Sequence, residues 1–551
     1  MAAPESLLDA VSALATYQAL LQGALTALAA IYLLSGLDDL FIDAVYWFRA
    51  LKRATWRRHR IRELPAEALA ARPEQPIAIM IPAWDESAVL EPMLARLIQT
   101  IDYQRFRVYV GVYPNDAATR LAVGRAAAVD SRIRTVVLDH DGPTVKADCL
   151  NGIWRAIARD EAAQGEPFAI FVMQDCEDVI DPLACRLFNW LIPRKDMVQL
   201  PVLSLRRRWW QFTASHYLDE FAQQHLKDLV VREVLGRGLP AAGVGVAFSR
   251  RALAALARTD PDGVPFRTDS LTEDYDLGLR LRELGYRQIF ARFWVNRTHV
   301  ELDRRDGSVR PDHRRELVCV REYFPSTLRA AVRQKARWVV GIALQGWRTW
   351  GWRGDWTSRY LLMRDRKVLV MSLVAIAAYL VFVLMAVHWA WQWLATGSGT
   401  APALGDAGSW LPTLLVANLL LLGLRALQRA LCTGLLYGPL EALLSLPRMV
   451  WASVINILAT LRALRQWREH LVTGKPIGWD KTVHQFPDAV LERATAASPR
   501  STRGPVREAP PPEAASAPLT AVGTGYPSGR DRPSPGDGAP PPFSTNDGVQ
   551  R

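Results

Sequence analysis

From Val368 to Leu394 the chain carries no Lys, Arg, Asp or Glu, and His388 and Gln392 mark the far end of the run. About 20 apolar residues suffice for a helix to cross ~30 Å of hydrocarbon. Only helices and closed barrels can place backbone there, because lipid offers no hydrogen-bond partners. This stretch therefore excludes a purely soluble globule. Ala15 to Leu37, with Gln18 and Gln22 near its start, reads as another span. Lys52, Arg53, Arg57, Arg58, Arg60 and Arg62 crowd behind it. That bias predicts a cytoplasmic location for the domain after the cluster and an external N-terminus. Asp38 to Leu51, bearing Phe41, Tyr46, Trp47 and Phe48, reads as an amphipathic helix along the interface. Ala395 to Ser409 contains no Lys or Arg, as expected of an external loop, and Trp410 to Leu424 leads back towards Arg425 and Arg429. Leu431 to Leu461 is apolar but interrupted by Gly438, Pro439, Glu441, Pro447 and Arg448. It reads as two short spans or as one re-entrant element. Met1 to Ser6 has no positive charge, so no cleaved signal peptide is expected.

Composition narrows the class further. Half of the 551 residues are hydrophobic and 22% are charged. A mean hydropathy of +0.01 is thus the average of very apolar and very polar segments. The 20 Trp residues suit membrane interfaces. The net charge of +12 sits beside the apolar runs, so it reads as membrane flank rather than nucleic-acid surface. Five scattered cysteines form no C-x-x-C pair, which argues against a disulfide framework or a zinc site.

From Pro76 the pattern changes to short apolar runs separated by helical stretches. Ile77 to Ile81, Val108 to Val112, Ile133 to Leu138 and Phe168 to Met173 read as strands. Ser87 to Thr100, Ala117 to Val129 and Lys146 to Arg159 read as the helices between them. The alternation predicts an α/β domain with a parallel, doubly wound sheet. Ligands of such sheets bind at the carboxyl ends of the strands, where Asp116 and Asp175 fall. Tyr217 to Leu235 reads as a helix, and Thr272 opens another running to about Leu284. Arg206 to Trp210 reads as a surface loop or an interfacial element. Arg321 to Trp350 is basic, amphipathic and Trp-bearing, as befits a helix on the membrane surface. From about Ala496, Pro, Ser, Gly and charge dominate, and such a tail cannot bury a core.

The predicted organisation has six parts. Residues 1–65 form a span and an interfacial helix, and residues 66–300 the cytoplasmic α/β domain. Residues 301–366 are interfacial helices, and 367–462 the remaining spans. Residues 463–495 form a cytoplasmic segment, and 496–551 a disordered tail.

Five groupings carry chemistry. Asp175, Glu177 and Asp178 follow a strand, and carboxylates at i and i+2 there can share Mg²⁺ or Mn²⁺, which leaves positions for substrate phosphates. The same run could simply be an acidic turn before the next helix. Glu273 and Asp274 lie at a helix start; Ser270-x-x-Glu273 matches a capping box, whereas Asp274 could be a general base towards an acceptor hydroxyl. Asp116 could cap the helix that follows it. Lys146 could hold a nucleotide phosphate or stand in solvent. In Gln334-x-x-Arg337-Trp338, Arg337 could neutralise a diphosphate leaving group and Trp338 could stack on a sugar ring. The bland reading of that pentapeptide is an interfacial helix with snorkelling Arg.

In this order, ending beside a span, these groupings resemble the processive family-2 glycosyltransferases, such as cellulose and hyaluronan synthases. The likeness covers about Ile77 to Leu461. Gln174-Asp-Cys-Glu-Asp178, Trp338-Val-Val-Gly-Ile342, Leu344-Gln-Gly-Trp347, Arg364-Asp-Arg-Lys367 and Trp479-Asp-Lys-Thr-Val-His484 resemble more specifically the NfrB-like (phage adsorption protein B) branch of inner-membrane enzymes.

The resemblance implies a GT-A-type domain embedded between transmembrane and interfacial helices. It implies an inverting transfer from a nucleotide sugar, with Asp274 as base. Asp116, Lys146, Asp175 and Arg337 would hold the donor, and Glu273, Gln334 and Trp338 the acceptor. The acceptor would be a growing polysaccharide, with membrane lipids and an outer-membrane export partner as further partners and no nucleic acid. The usual D-x-D is here Asp175-x-Glu177, so Glu177 and Asp178 compete as second metal ligand. The competing readings are a catalytically idle receptor or scaffold and a dolichol-type transferase making single lipid-linked sugars.

Overall fold

Alternating apolar residues place Ile77, Ile79 and Ile81 on one face of the first strand and Ala78 and Met80 on the other. All five are fully buried, so the sheet is covered on both sides. The computed structural model describes residues 5–55, 65–236, 238–302, 309–396 and 409–475, together with Ile477 and Phe486. The central sheet has seven strands: β1 (Ile77–Pro82), β2 (Phe106–Val112), β3 (Ile133–Val137), β4 (Ile170–Met173), β5 (Met197–Gln199), β6 (Val246–Ser249) and β7 (Gln288–Phe290). Their order is β3-β2-β1-β4-β6-β5-β7.

Strands β1 to β4 are parallel, as predicted. The sheet as a whole is mixed, because β6 runs antiparallel to both β4 and β5. Parallel register puts the ends of β1, β2 and β4 on one edge: Pro82 pairs with Gly111 and Met80 with Met173. The segments that come next, Trp84–Glu86, Asn115–Asp116 and Gln174–Asp178, therefore converge on that edge. A small sheet of Val179–Ile180, Val202–Ser204 and Val320–Glu322 ties the acidic run to the chain that enters the Q-x-x-R-W helix.

Among the described residues, four helices are long and apolar enough to cross a membrane: Ala13–Thr55, Trp356–Leu394, Leu411–Tyr437 and Pro439–Thr473. Three departures from the sequence reading appear here. The first helix does not break at Asp38 but continues from Glu5 to Thr55. Asp38 and Asp39 are neutralised across the interface by Lys367, at 2.8 Å from each, and by Arg364. The Leu431–Leu461 stretch breaks once, at Gly438, whose φ of 90° ends one helix as Pro439 starts the next. Pro447 lies inside a helix that continues to Thr473. Arg321–Trp350 opens as a strand and becomes helical only from Leu328, with a π-helical stretch at Val339–Gln345. Arg206 to Trp210 is a loop with exposed Trp209 and Trp210. The Trp479–His484 motif and the residues from 487 onward lie outside the described residues.

Candidate active site

Lys146 opens the helix Lys146–Gln164, and its ammonium lies 2.6 Å from Asp175 Oδ1 at the end of β4. It also donates to the carbonyl of Gly243 at 3.2 Å. Gly243 adopts a φ of +75°, and a Cβ there would lie 2.8 Å from Asp274 Oδ2 and 3.1 Å from Lys146 Nζ. Only glycine lets the backbone come this close to both charged groups. Glu273 and Asp274 form the first turn of the helix Glu273–Glu283, capped at Thr272 without a side-chain bond. Ser270 is therefore not the cap the sequence suggested; its hydroxyl accepts from the Thr272 N–H at 3.3 Å.

The Q-x-x-R-W helix, Leu328–Trp338, is locked onto this turn. The π-helical residue Gly341 lies so close to Thr272 that a Cβ would come within 2.5 Å of its side chain. The Leu271 N–H donates to Gln345 Oε1 at 2.9 Å, and Trp350 Nε1 to Asp276 Oδ1 at 3.1 Å. The Tyr275 hydroxyl donates to Asp365 at 2.6 Å, and Arg232 pairs with the same carboxylate at 2.6 Å. Sequence reasoning missed Arg232, Asp365 and Gln345 as supports of the acidic turn. Asp365 and Gln345 did stand in motifs of the narrower resemblance.

The result is a cavity of about 630 Å³, whose walls include Lys146, Asp175, Glu177, Glu273, Asp274, Gln334, Arg337 and Trp338. That is within the ~300–1,000 Å³ usual for small-molecule sites. Gln334 Oε1 and Thr272 Oγ1, of two residues that line the cavity, are buried without a partner among the described residues, so a polar ligand group would satisfy them. Two predicted residues sit elsewhere. Asp116 spends its carboxylate on backbone: it accepts from Thr119 N at 3.2 Å and from Asp85 N at 2.6 Å. It thus caps the helix Ala117–Val129 and fixes the loop that brings Trp84 and Glu86 to the cavity. Asp178 turns back to accept from the Asp175 N–H at 3.2 Å. Burial, then Glu322, Glu177 and Asp175, push its carboxyl well above the usual range.

Among the described residues no group of three or more His, Cys, Asp or Glu side chains forms a cage for a metal. Asp175 and Glu177 nevertheless bring two carboxylates, hard oxygen donors, to the cavity wall. This suits Mg²⁺ or Mn²⁺, which complete their shells with substrate phosphates.

Electrostatics single out the turn that carries Asp274. Burial and then Asp274 raise Glu273 to about 7, against Lys146. Burial also raises Asp274, opposed by Lys146, the Tyr275 N–H and Arg337. Burial works against the charge on Lys146, but Asp175, Glu273 and Asp274 outweigh it and keep the ammonium protonated. A general base must be deprotonated to act, so with Asp274 in that role activity is expected to fall as pH falls through a point above the usual aspartate range. Removing Lys146 removes a force holding that pKa down. The acidic limb of the kcat/KM profile of Lys146→Met is expected to move to higher pH than in the wild type; an unmoved limb would uncouple Lys146 from the base.

The sheet order, the strand-end acids and the cavity define a GT-A-like glycosyltransferase domain. Residues 73–341 match the family model described as glycosyltransferase like family 2. The chain is 43% identical, over 472 residues, to bacteriophage adsorption protein B of Escherichia coli (strain K12) and to bacteriophage N4 adsorption protein B of Escherichia coli O157:H7. Each alignment covers 84% of this chain and 61% of the relative, so the chain spans about three fifths of their length. Among solved structures, the mannosyltransferase PcManGT from Pyrobaculum calidifontis, in complex with GDP-Man and Mn²⁺, is 17% identical with a TM-score of 0.46, covering 81% of this chain and 99% of its own.

Proposed function

We propose that the chain is an inverting, metal-dependent hexosyltransferase of the bacterial inner membrane with its catalytic domain in the cytoplasm. It takes a sugar from a nucleoside diphosphate donor, with UDP-sugars first among the candidates, and adds it to a growing polysaccharide that is exported. One observation carries the reading: the Asp175–Glu177 pair, Lys146, Asp274 and the Arg337–Trp338 pair all face one cavity. Four long apolar helices support the membrane location.

Lys146 and Arg337 bind the diphosphate of the donor, and Asp175 and Glu177 would hold the divalent cation. When bound, that cation supplies charge neutralisation to the leaving diphosphate. Asp274 takes the proton of an acceptor hydroxyl as its oxygen bonds to the anomeric carbon. The bond from that carbon to the diphosphate oxygen breaks on the opposite face, and the electron pair leaves with the nucleoside diphosphate. Trp338 offers an aromatic face to a sugar ring. Its ring is itself held edge-on to Tyr217, with centroids 6.2 Å apart. The growing chain passes outward between the long helices, a route supported by the cavity wall, to which each of them contributes, through Ile42, Val368, Arg429 and Asn456 among others.

The test is turnover by purified protein, with Mn²⁺ or Mg²⁺, of a panel of nucleotide sugars, with products read by mass spectrometry. Turnover of at least one donor is expected; failure with all of them overturns the enzyme reading. A catalytically idle receptor would have no need of Gly243, whose bare Cα makes room for Asp274 and Lys146.

A further inference from the structure

The fourth long helix, Pro439–Thr473, has the length and composition of a membrane span, yet its contacts lie on the side of the catalytic domain. We propose that it does not cross the bilayer but lies along the cytoplasmic leaflet, with its apolar face in lipid. This rests on the membrane reading above.

The other three long helices define where the hydrocarbon lies. At one end, Asp38 and Asp39 of the first helix meet Arg364 and Lys367 of the second, and Arg425 of the third lies 3.8 Å from Asp39. At the other end, Gln18 of the first helix meets His388 of the second at 2.9 Å. Lys367 and His388 are 21 positions apart on one helix, or about 31 Å at 1.5 Å per residue, which matches a bilayer core. The charged ring is one boundary and the Gln18–His388 contact the other.

The fourth helix stays on the catalytic side of the ring. Near its start, Arg448 pairs with Asp219 of the helix Phe212–Gln223 at 2.9 Å. In its middle, Asn456 accepts from Lys335 of the Q-x-x-R-W helix at 2.8 Å. Ala459 and Ala463 pack with Ala336, Val340 and Leu369 in a cluster that Leu271 and Trp467 also join. Leu369 is only two residues beyond Lys367 of the ring. From Ala463 to Thr473 a helix rises about 15 Å, which is half the distance needed to reach the far boundary. That final stretch also carries exposed Arg465 and Glu469, which pair with each other at 3.0 Å. Beyond it, Phe486 packs against the core cluster of the catalytic sheet, so the chain is still on that side.

What remains uncovered is a row of apolar side chains: Leu440, Leu443, Leu446, Val450, Leu458 and Leu461 are all exposed. They lie opposite the buried Glu441, Arg448, Ile455 and Ala459. One face bound to protein and the other apolar and bare is the form of an interfacial helix. The same bare character continues onto the spans, where Leu419, Leu420 and Leu422 of the third helix are also exposed. Lipid is the occupant this continuity selects. The leaflet thus backs the helix that holds Arg337 and Trp338.

Single cysteines in the full chain test this, because all five native cysteines are buried. Glu469→Cys reports the end of the fourth helix, Val129→Cys the catalytic domain and Ser409→Cys the segment before the third helix. A membrane-impermeant maleimide is applied to intact spheroplasts and to inverted vesicles. Glu469→Cys is expected to be labelled with Val129→Cys in inverted vesicles, and Ser409→Cys in spheroplasts. Labelling of Glu469→Cys together with Ser409→Cys would overturn the proposal. If Ser409→Cys and Val129→Cys react from the same side, the membrane reading itself fails. A fluorophore on Val450→Cys, in bilayers of phosphatidylethanolamine and phosphatidylglycerol, is expected to be quenched by a nitroxide at headgroup level. Stronger quenching by aqueous iodide, or by a nitroxide at the bilayer centre, would overturn the in-plane placement.

Discussion

Asp274→Asn is expected to lower turnover by about 10²–10⁴-fold, the usual contribution of a positioned general base, while donor binding survives. The substitution keeps the shape of the side chain and leaves an oxygen for the Tyr275 N–H, which donates to Asp274 at 2.8 Å. It removes the lone pair that accepts the proton. The donor contacts proposed above, Lys146, Asp175 and Arg337, are untouched. Initial rates measured beside titration with a nucleoside diphosphate separate the two effects. Glu273 is the competitor, one residue away, buried, and raised to about 7. Glu273→Gln is therefore the necessary partner experiment. Full turnover by Asp274→Asn combined with loss in Glu273→Gln would move the base by one position.

Why Asp274 could be found at all in the sequence is a matter of local rules. Strand and helix periods between Ile77 and Met173 were strong enough to place β1 to β4, and parallel pairing then obliged Asp116 and Asp175 to share an edge. The Thr272–Asp274 turn was visible as a helix start. What the sequence could not express was distance. Asp116 and Asp175 look equivalent as strand-end acids, yet Asp116 is consumed by the Thr119 and Asp85 amides and Asp175 faces Lys146. Glu177 and Asp178 are adjacent in the chain, and only the bond from the Asp175 N–H to Asp178 turns one of them away. Strands β5, β6 and β7 are three or four residues long and fall outside the regular strand–helix alternation that exposed β4, so the antiparallel β6 stayed hidden. Charges misled in the apolar half. Asp38 reads as a helix boundary until Lys367 is seen beside it, and Arg448 reads as an interruption until Asp219 and Glu441 are.

Arg448 is also where the largest loss of stability is expected. Its side chain is fully buried, lies 2.9 Å from Asp219 and 2.7 Å from Glu441, and donates to the Glu441 carbonyl at 2.8 Å. Thr433 of the third long helix donates to Asp219 at 3.2 Å, so three elements meet at one guanidinium. Two effects compete when it is truncated. Arg448→Leu gains apolar packing, worth at most a few kcal/mol for a buried leucine. It also strands two buried carboxylates, Asp219 and Glu441. Breaking a buried pair from one side costs about 3–5 kcal/mol, so the loss wins and the melting temperature should fall by several degrees. Removing the charges together reverses the balance, because the burial of charge then disappears along with the attraction. Asp219→Asn, Glu441→Gln and Arg448→Met combined should recover most of the stability lost in Arg448→Leu. Both variants are read by thermal unfolding in detergent, followed by fluorescence-detected size exclusion. A single substitution as stable as the wild type would show that water reaches Asp219 and Glu441. A triple variant no better than the single one would show that the hydrogen-bond geometry, rather than stranded charge, holds the fourth helix to the catalytic domain.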